Sequence, residues 1–207
     1  MKRLMGSGLE KIFTITPVFR NHEADGQRHG PEFLMLEWYA RGGYKDLMDE
    51  TEALLNKVLG RGEAWERIPH RSANMKDGDP QVNTSHYFVT EYPAAEASLA
   101  KLAPNGTAER FEAYAHDLEL CNGFCELTDP KEQRRRFEIE AKERRAAGKT
   151  VFPIDEQFLE GLGAIEGGIY GNARGLDRLV MLKYGVADIN SIQLFPFNER
   201  YRYGITK

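Results

Sequence analysis

The sequence predicts an α+β fold, an antiparallel β-sheet flanked by helices. Two observations carry that prediction. Runs rich in β-branched and aromatic residues come in adjacent pairs instead of alternating with helices, and helical periodicity is confined to separate segments with their own start and stop signals. The chain has 207 residues, 41% hydrophobic and 29% charged, as one globular domain with a sizeable core requires. No Pro- or Ser-rich linker divides it, so residues 1–207 read as a single domain.

The elements follow in order. Residues 11–20 (KIFTITPVFR) and 32–39 (EFLMLEWY) read as strands, because β-branched and aromatic side chains suit a pleated surface. The polar, Gly-containing stretch between them is too long for an ordinary hairpin loop, and loops of that length are often functional. Leu47, Met48, Thr51, Leu54, Leu55, Val58 and Leu59 recur at helical spacing over residues 46–59, with Gly60 placed to end the helix. Residues 61–82 are polar and aperiodic and read as a loop. Residues 86–92 read as a strand and 94–102 as a short helix. A strand pair follows, 110–115 and 118–127, turning at His116-Asp117. Asp129-Pro130-Lys131-Glu132 opens a helix to about Ala147, with Asp129 as cap, Pro130 at the first position and Glu132 able to close a capping box. Asp155 caps a short helix ending near Gly161. The Gly-rich segment 167–175 leads into a final helix at 176–184.

Composition excludes several classes. With 28 basic and 32 acidic side chains, the net charge of -4 does not favour a broad grip on nucleic acid. No apolar run reaches the roughly 18–20 residues of a membrane span, and Met1-Lys2-Arg3-Leu4-Met5-Gly6 does not lead into a secretory signal. Two cysteines, Cys121 and Cys125, rule out a disulfide framework or a four-cysteine zinc site and read as small packed residues. A cytoplasmic protein with no membrane partner is expected.

Three clusters could do chemistry. The first is Phe19-Arg20-Asn21-His22-Glu23 with Arg28, His29, Phe33 and Glu37. An arginine fork can bind a phosphate or carboxylate, and His29 could add a phosphate contact. Phe33 offers a face for a purine; a solvated loop with a core phenylalanine is the alternative. Glu37 sits in an apolar strand, so it either points to solvent or faces a pocket that binds a cation. The second cluster is Glu112, Glu119, Asn122, Phe124 and Glu126. Strand alternation puts Asn122, Phe124 and Glu126 on one face; Glu119 has the opposite parity and needs a bulge near Cys121-Asn122-Gly123 to join them. Paired carboxylates there could hold Mg²⁺, or simply form a hydrated face. The third is Gly171 to Leu179, where an arginine in the first helical turn could reach a phosphate or lie on the surface. Arg134-Arg135-Arg136, Arg144 and Arg145 alternate with glutamates and read as a salt-bridged helix face.

Taken in order, these clusters resemble the catalytic core of class II aminoacyl-tRNA synthetases of the lysyl type. Phe19-Arg20-Asn21-His22-Glu23 is similar to motif 2 and Gly175-Leu176-Asp177-Arg178 to motif 3. Most similar are the truncated lysyl-tRNA synthetase paralogues that lysylate elongation factor P, through Met1-Lys2-Arg3-Leu4, Arg28-His29-Gly30-Pro31-Glu32-Phe33, Met35 to Tyr39, Ala97 to Ala100, LCNGFCELTD over 120–129 and Asp177 to Leu182. The resemblance implies an ATP-dependent ligase that forms an aminoacyl-adenylate of lysine or β-lysine and transfers it to a lysine of elongation factor P; the alternatives are a lysyl-tRNA synthetase fragment, a related amino-acid-activating enzyme or a non-catalytic nucleotide-binding paralogue. By the same resemblance Arg20 bridges the ATP α-phosphate and the substrate carboxylate, Glu23 contacts adenine and His29 the outer phosphates. Phe33 stacks on adenine, with Arg178 over its other face. Glu112 and Glu119 hold Mg²⁺ and the triphosphate, and Glu37, Tyr39, Asn122, Phe124 and Glu126 surround a lysine-like side chain. The sequence departs from the family in His22, one residue extra before Glu23, in Gly30 where Asn is usual, and in Cys121 at the small-residue position shaping the amino-acid pocket. The stretch between Leu59 and Tyr87 is short for the family. Motif 1, which supplies the family's homodimer interface, and the anticodon-binding domain are expected to be missing, which makes tRNA an unexpected acceptor.

Overall fold

The computed structural model describes residues 1–20 and 27–196. Among the described residues nine strands and five helices form, in order, α1 (Lys2–Gly6), β1 (Lys11–Phe19), β2 (Glu32–Arg41), α2 (Tyr44–Leu59), β3 (Glu66–Pro69), β4 (Met75–Lys76), β5 (Asp79–Pro80), β6 (His86–Thr90), β7 (Arg110–Ala115), β8 (Leu118–Cys125), α3 (Pro130–Ala146), α4 (Glu156–Gly163), β9 (Ile169–Gly175) and α5 (Leu176–Tyr184). Seven strands make one sheet in the order β1-β2-β9-β8-β7-β6-β3, and every pairing but β3–β6 is antiparallel. This is the expected α+β architecture. No helix among the described residues is long and apolar enough to cross a membrane.

Strand alternation divides the sheet into two faces. Trp38, Phe88, Phe111, Ala113, Cys121 and Tyr170 point to one side, where Leu47, Leu55 and Leu179 of α2 and α5 complete a buried core. α2 stops at Gly60, whose backbone is left-handed (φ 69°), a conformation glycine adopts without a Cβ penalty. The same face of edge strand β1 leaves Phe13, Ile15 and Phe19 exposed. The opposite face carries Phe33, Met35, Glu37 and Tyr39 of β2 and Asn122 and Phe124 of β8.

The structure corrects three readings of the sequence. Residues 61–82 are not one loop. Trp65 is buried, donates to Asn56 Oδ1 of α2 at 2.9 Å and packs its ring against Phe88 of β6, and β3 runs parallel to β6. Residues 94–102 do not form an α-helix; only a 3₁₀ turn at Ala94–Glu96 forms, and Ala100 then bridges to Glu126. The Gly-rich segment is a central strand, β9, with both neighbours satisfying its backbone.

The caps at Asp129 and Asp155 act as read; the capping box at Glu132 does not form. Asp129 accepts from the backbone N–H groups of Lys131 and Glu132 at 2.8 and 3.2 Å. Glu132 does not fold back to close a capping box: its carboxylate turns to Arg135 and Arg136 instead, and those bonds pull its pKa down to about 2. Asp155 caps α4 through Phe158 N at 2.9 Å. Cys121 and Cys125 are buried, unbridged core residues.

Candidate active site

Antiparallel register builds the site in rows. One row crosses the sheet as Tyr39, Gly171, Phe124 and Arg110; the next runs Thr14, Glu37, Ala173, Asn122 and Glu112. In both rows β9 contributes the smallest side chain, so the middle strand forms a low floor between taller walls. Gly171 shows how tight this is. A Cβ there would lie 2.6 Å from Tyr39 Cε1 and 2.7 Å from Glu126 Oε1, far inside van der Waals contact.

Glu119 reaches the same face through a bulge. Ala113 pairs with Cys121, but Tyr114 pairs with Glu119, so Leu120 is the extra residue and reverses the parity of what precedes it. The bulge is therefore one residue ahead of the stretch Cys121-Asn122-Gly123 that the sequence offered for it.

At this end of the sheet a cleft opens, lined by Arg20, Arg28, His29, Phe33, Met35, Glu119, Asn122, Ala173, Asp177 and Arg178 among others. Arg20 is exposed at the end of β1, its guanidinium 5.2 Å from the Phe33 ring centroid. Arg178 enters from α5: Nη1 donates to Glu119 O at 3.0 Å and to Glu119 Oε2 at 3.3 Å, and Nη2 to His29 Nε2 at 2.6 Å. The helix is held against β2 because Asp177 Oδ2 accepts from Leu34 N at 2.7 Å. Burial raises the Glu119 pKa, and nearby Glu112 adds to the rise against the opposing pull of Arg178.

Glu112 stands behind this cleft. Tyr92 and Tyr114 donate to its Oε2 at 2.7 and 2.6 Å, Asn122 to its Oε1 at 3.1 Å, and Arg110 forms an ion pair with it. Its oxygens are thus engaged, whereas Glu119 offers one edge to the cleft. Among the described residues no group of three or more His, Cys, Asp or Glu side chains could hold a metal alone. One or two carboxylates are nonetheless what Mg²⁺ needs when phosphates and waters fill its remaining positions, and Glu119 fits that part.

Further along the same face is a second assembly, with a buried ion pair at its centre and half-buried side chains around it. Glu126, 3% exposed, forms an ion pair with Lys2 of α1, itself 6% exposed. Burial drives the Glu126 pKa up to about 7, Lys2 pulls it down, and Glu37 pushes it up. Burial, then Glu126 and Glu37, raise the Tyr39 phenol. Phe124 lies beside the Lys2 ammonium, 5.9 Å from it to the ring centroid. Glu37 is half-buried on this face, and its charge adds to the rise at both Glu126 and Tyr39. Cys121 lines the open cleft as well, yet its thiol meets the buried Arg174 guanidinium at 4.0 Å on the core side.

Thus Arg20, His29, Phe33, Glu119, Cys121, Asn122 and Arg178 come together at one cleft, and Glu37, Tyr39, Phe124 and Glu126 group beside it. Glu112 supports from behind. Glu23, with Asn21 and His22, lies outside the described residues. Sequence reasoning missed Met35, which alternation from Phe33 to Glu37 would have found, and also Ala173 and Lys2.

The family model for class II tRNA synthetases (D, K and N) matches residues 1–199. Among curated proteins, the elongation factor P–(R)-β-lysine ligase of Vibrio atlanticus is 36% identical over 244 residues, covering 95% of this chain and 75% of the relative. The ligase of that name from Proteus mirabilis is 36% identical with 95% and 74% coverage, and that from Haemophilus influenzae is 33% identical with 94% and 74%. The first two alignments run over 244 positions against 207 residues in this chain, so these relatives carry internal segments that this one lacks.

Proposed function

This chain belongs to the class II tRNA synthetase family, and from that premise we propose that it activates lysine or β-lysine with ATP and transfers it to a lysine of elongation factor P. The observation that carries the reading is the convergence of Arg20, from the end of β1, and Arg178, from the start of α5, on one cleft beside an acidic subsite. Opposite charges are sorted along one sheet face: cations where a triphosphate would lie, carboxylates where an ammonium would lie.

The chemistry has two steps. A substrate carboxylate oxygen attacks the α-phosphorus of ATP, the bond to the bridging oxygen breaks and pyrophosphate leaves. The acceptor's lysine amine then attacks the adenylate carbonyl, forming an amide and releasing AMP. Arg20 would hold the α-phosphate and the attacking carboxylate together, a positioning and electrostatic role that costs little reorganisation. Arg178 and Phe33 would flank the adenine and His29 would meet the outer phosphates. Mg²⁺, when bound, would neutralise triphosphate charge; Glu119 would hold it, with Glu112 fixing Asn122 and the surrounding field. Glu37, Tyr39, Asn122, Phe124 and Glu126 would select a cationic side chain, with Cys121 beside it. The acceptor is a translation factor, so the activity belongs in the cytoplasm.

Amino-acid-dependent exchange of radiolabelled pyrophosphate into ATP tests the first step, and mass gain on elongation factor P tests the second. Exchange with lysine or β-lysine, absent with neutral amino acids, is the expected result. ATP binding with no exchange for any amino acid would refute the proposal.

A further inference from the structure

The Lys2–Glu126 pair has a feature the adenylation chemistry does not use. Both groups are buried, and apart from the ion pair neither the Lys2 ammonium nor either Glu126 oxygen has a hydrogen-bond partner among the described residues. An ammonium carries three N–H donors and a carboxylate several acceptor positions. A buried ion pair whose remaining valences go unfilled returns little of its desolvation cost and is a poor structural device.

Its position explains it better. The Lys2 ammonium lies 5.9 Å from the centroid of Phe124 and 5.6 Å from that of Phe158, between aromatic faces that suit a cation. Tyr39 and Glu126 both close on Gly171, and the charge of Glu37 acts on both. A lysine side chain of the protein thus occupies the place proposed for the lysine side chain of the substrate. α1, which carries it, is fastened to α4 by the Arg3–Asp155 ion pair and by Arg3 Nη1 donating to Gln157 Oε1 at 3.3 Å.

We propose that Lys2 is a specificity-determining residue that competes with the substrate's side-chain ammonium for Glu126. The inference rests on the amino-acid subsite proposed above. A cationic substrate then gains only the difference between two ammonium–carboxylate contacts, and a neutral side chain cannot displace Lys2 at all. Affinity for lysine is thereby held below what the charge of Glu37 and Glu126 alone would give, while discrimination against uncharged side chains is kept.

The test is the Lys2→Met variant of the whole chain, read by thermal denaturation with free lysine or norleucine, its counterpart without the ammonium. The variant alone should melt lower than the native chain, since Glu126 loses its counter-ion. Free lysine should restore the loss and stabilise the variant more than it stabilises the native chain; norleucine should not. In pyrophosphate exchange, KM for lysine should fall about tenfold with kcat within about twofold, a change of roughly 1.4 kcal/mol in binding. Equal responses of variant and native chain to lysine, or equal effects of lysine and norleucine, would overturn the proposal. If the Met variant does not fold, Lys2→Arg decides: its larger cation should raise KM for lysine, and an unchanged KM overturns the competition. Absence of exchange in the native chain would sink the functional reading, while the melting response to lysine would still decide the role of Lys2.

Discussion

The cleft at Arg178 and the cluster at Glu126 lie on the same face of one sheet and treat charge in opposite ways. At the cleft, Arg20 is exposed and Arg178 shares its donors between His29 and Glu119, so its cations can exchange partners when a polyanion arrives. At the cluster, Glu126 and Lys2 are sealed together. Water screens the first set and is shut out of the second, so a change of charge should be felt as catalysis in one and as stability and selectivity in the other.

The sharpest way to break this contrast is at Arg20. Arg20→Ala should lower pyrophosphate exchange by about three orders of magnitude and leave the melting temperature unchanged, because the side chain is exposed. Paired exchange and melting measurements check it; a large drop in melting temperature would make Arg20 structural. Next comes the floor. Gly171→Ala puts a methyl into the space of Tyr39 and Glu126 and should cost about 1–3 kcal/mol of stability by overpacking. Lysine-dependent exchange should suffer while ATP binding, measured by calorimetry, persists.

Glu126→Gln sharpens the comparison on the other side. KM for lysine should rise about tenfold, with little change for norleucine, as exchange kinetics will read. A pH signature accompanies it. The folded-state pKa of Glu126 is raised to about 7 by burial, above its unfolded value, so protonation favours the folded chain. That stabilisation is complete below the ordinary carboxylate range and is lost as pH rises through about 7. Chemical denaturation across this range should show the native chain losing stability with rising pH, and the Gln variant losing less. The smallest effect belongs to α3. Arg135→Ala removes an exposed pair with Glu132, and neither exchange nor melting temperature should move.

Much of this architecture can be read from local chemistry. The strand pairs β1–β2 and β7–β8, the Asp129 cap and the opposed parity of Glu119 all follow from side-chain type and alternation. What stayed hidden depends on partners distant in sequence. β9 carries Gly171, Ala173 and Gly175, poor strand formers on their own, and is extended because β2 and β8 both pair with it. β3 is short and partly charged, and only its parallel register with β6 makes it a strand. The sequence lets Glu119 join the site only through a bulge, and the seat of that bulge at Leu120 is fixed by how β7 pairs. Lys2 falls in the Met1-Lys2-Arg3-Leu4 stretch of the family resemblance, but nothing there assigns it a partner, and only the packing of α1 brings it to Glu126.

One nucleotide should lie between the guanidinium groups of Arg20, just past β1, and Arg178 of α5, and a crystal structure of the chain with a non-hydrolysable ATP analogue decides whether it does. The α-phosphate should sit on Arg20 and the adenine between Phe33 and Arg178. A nucleotide bound elsewhere, or touching only one of the two arginines, would contradict it.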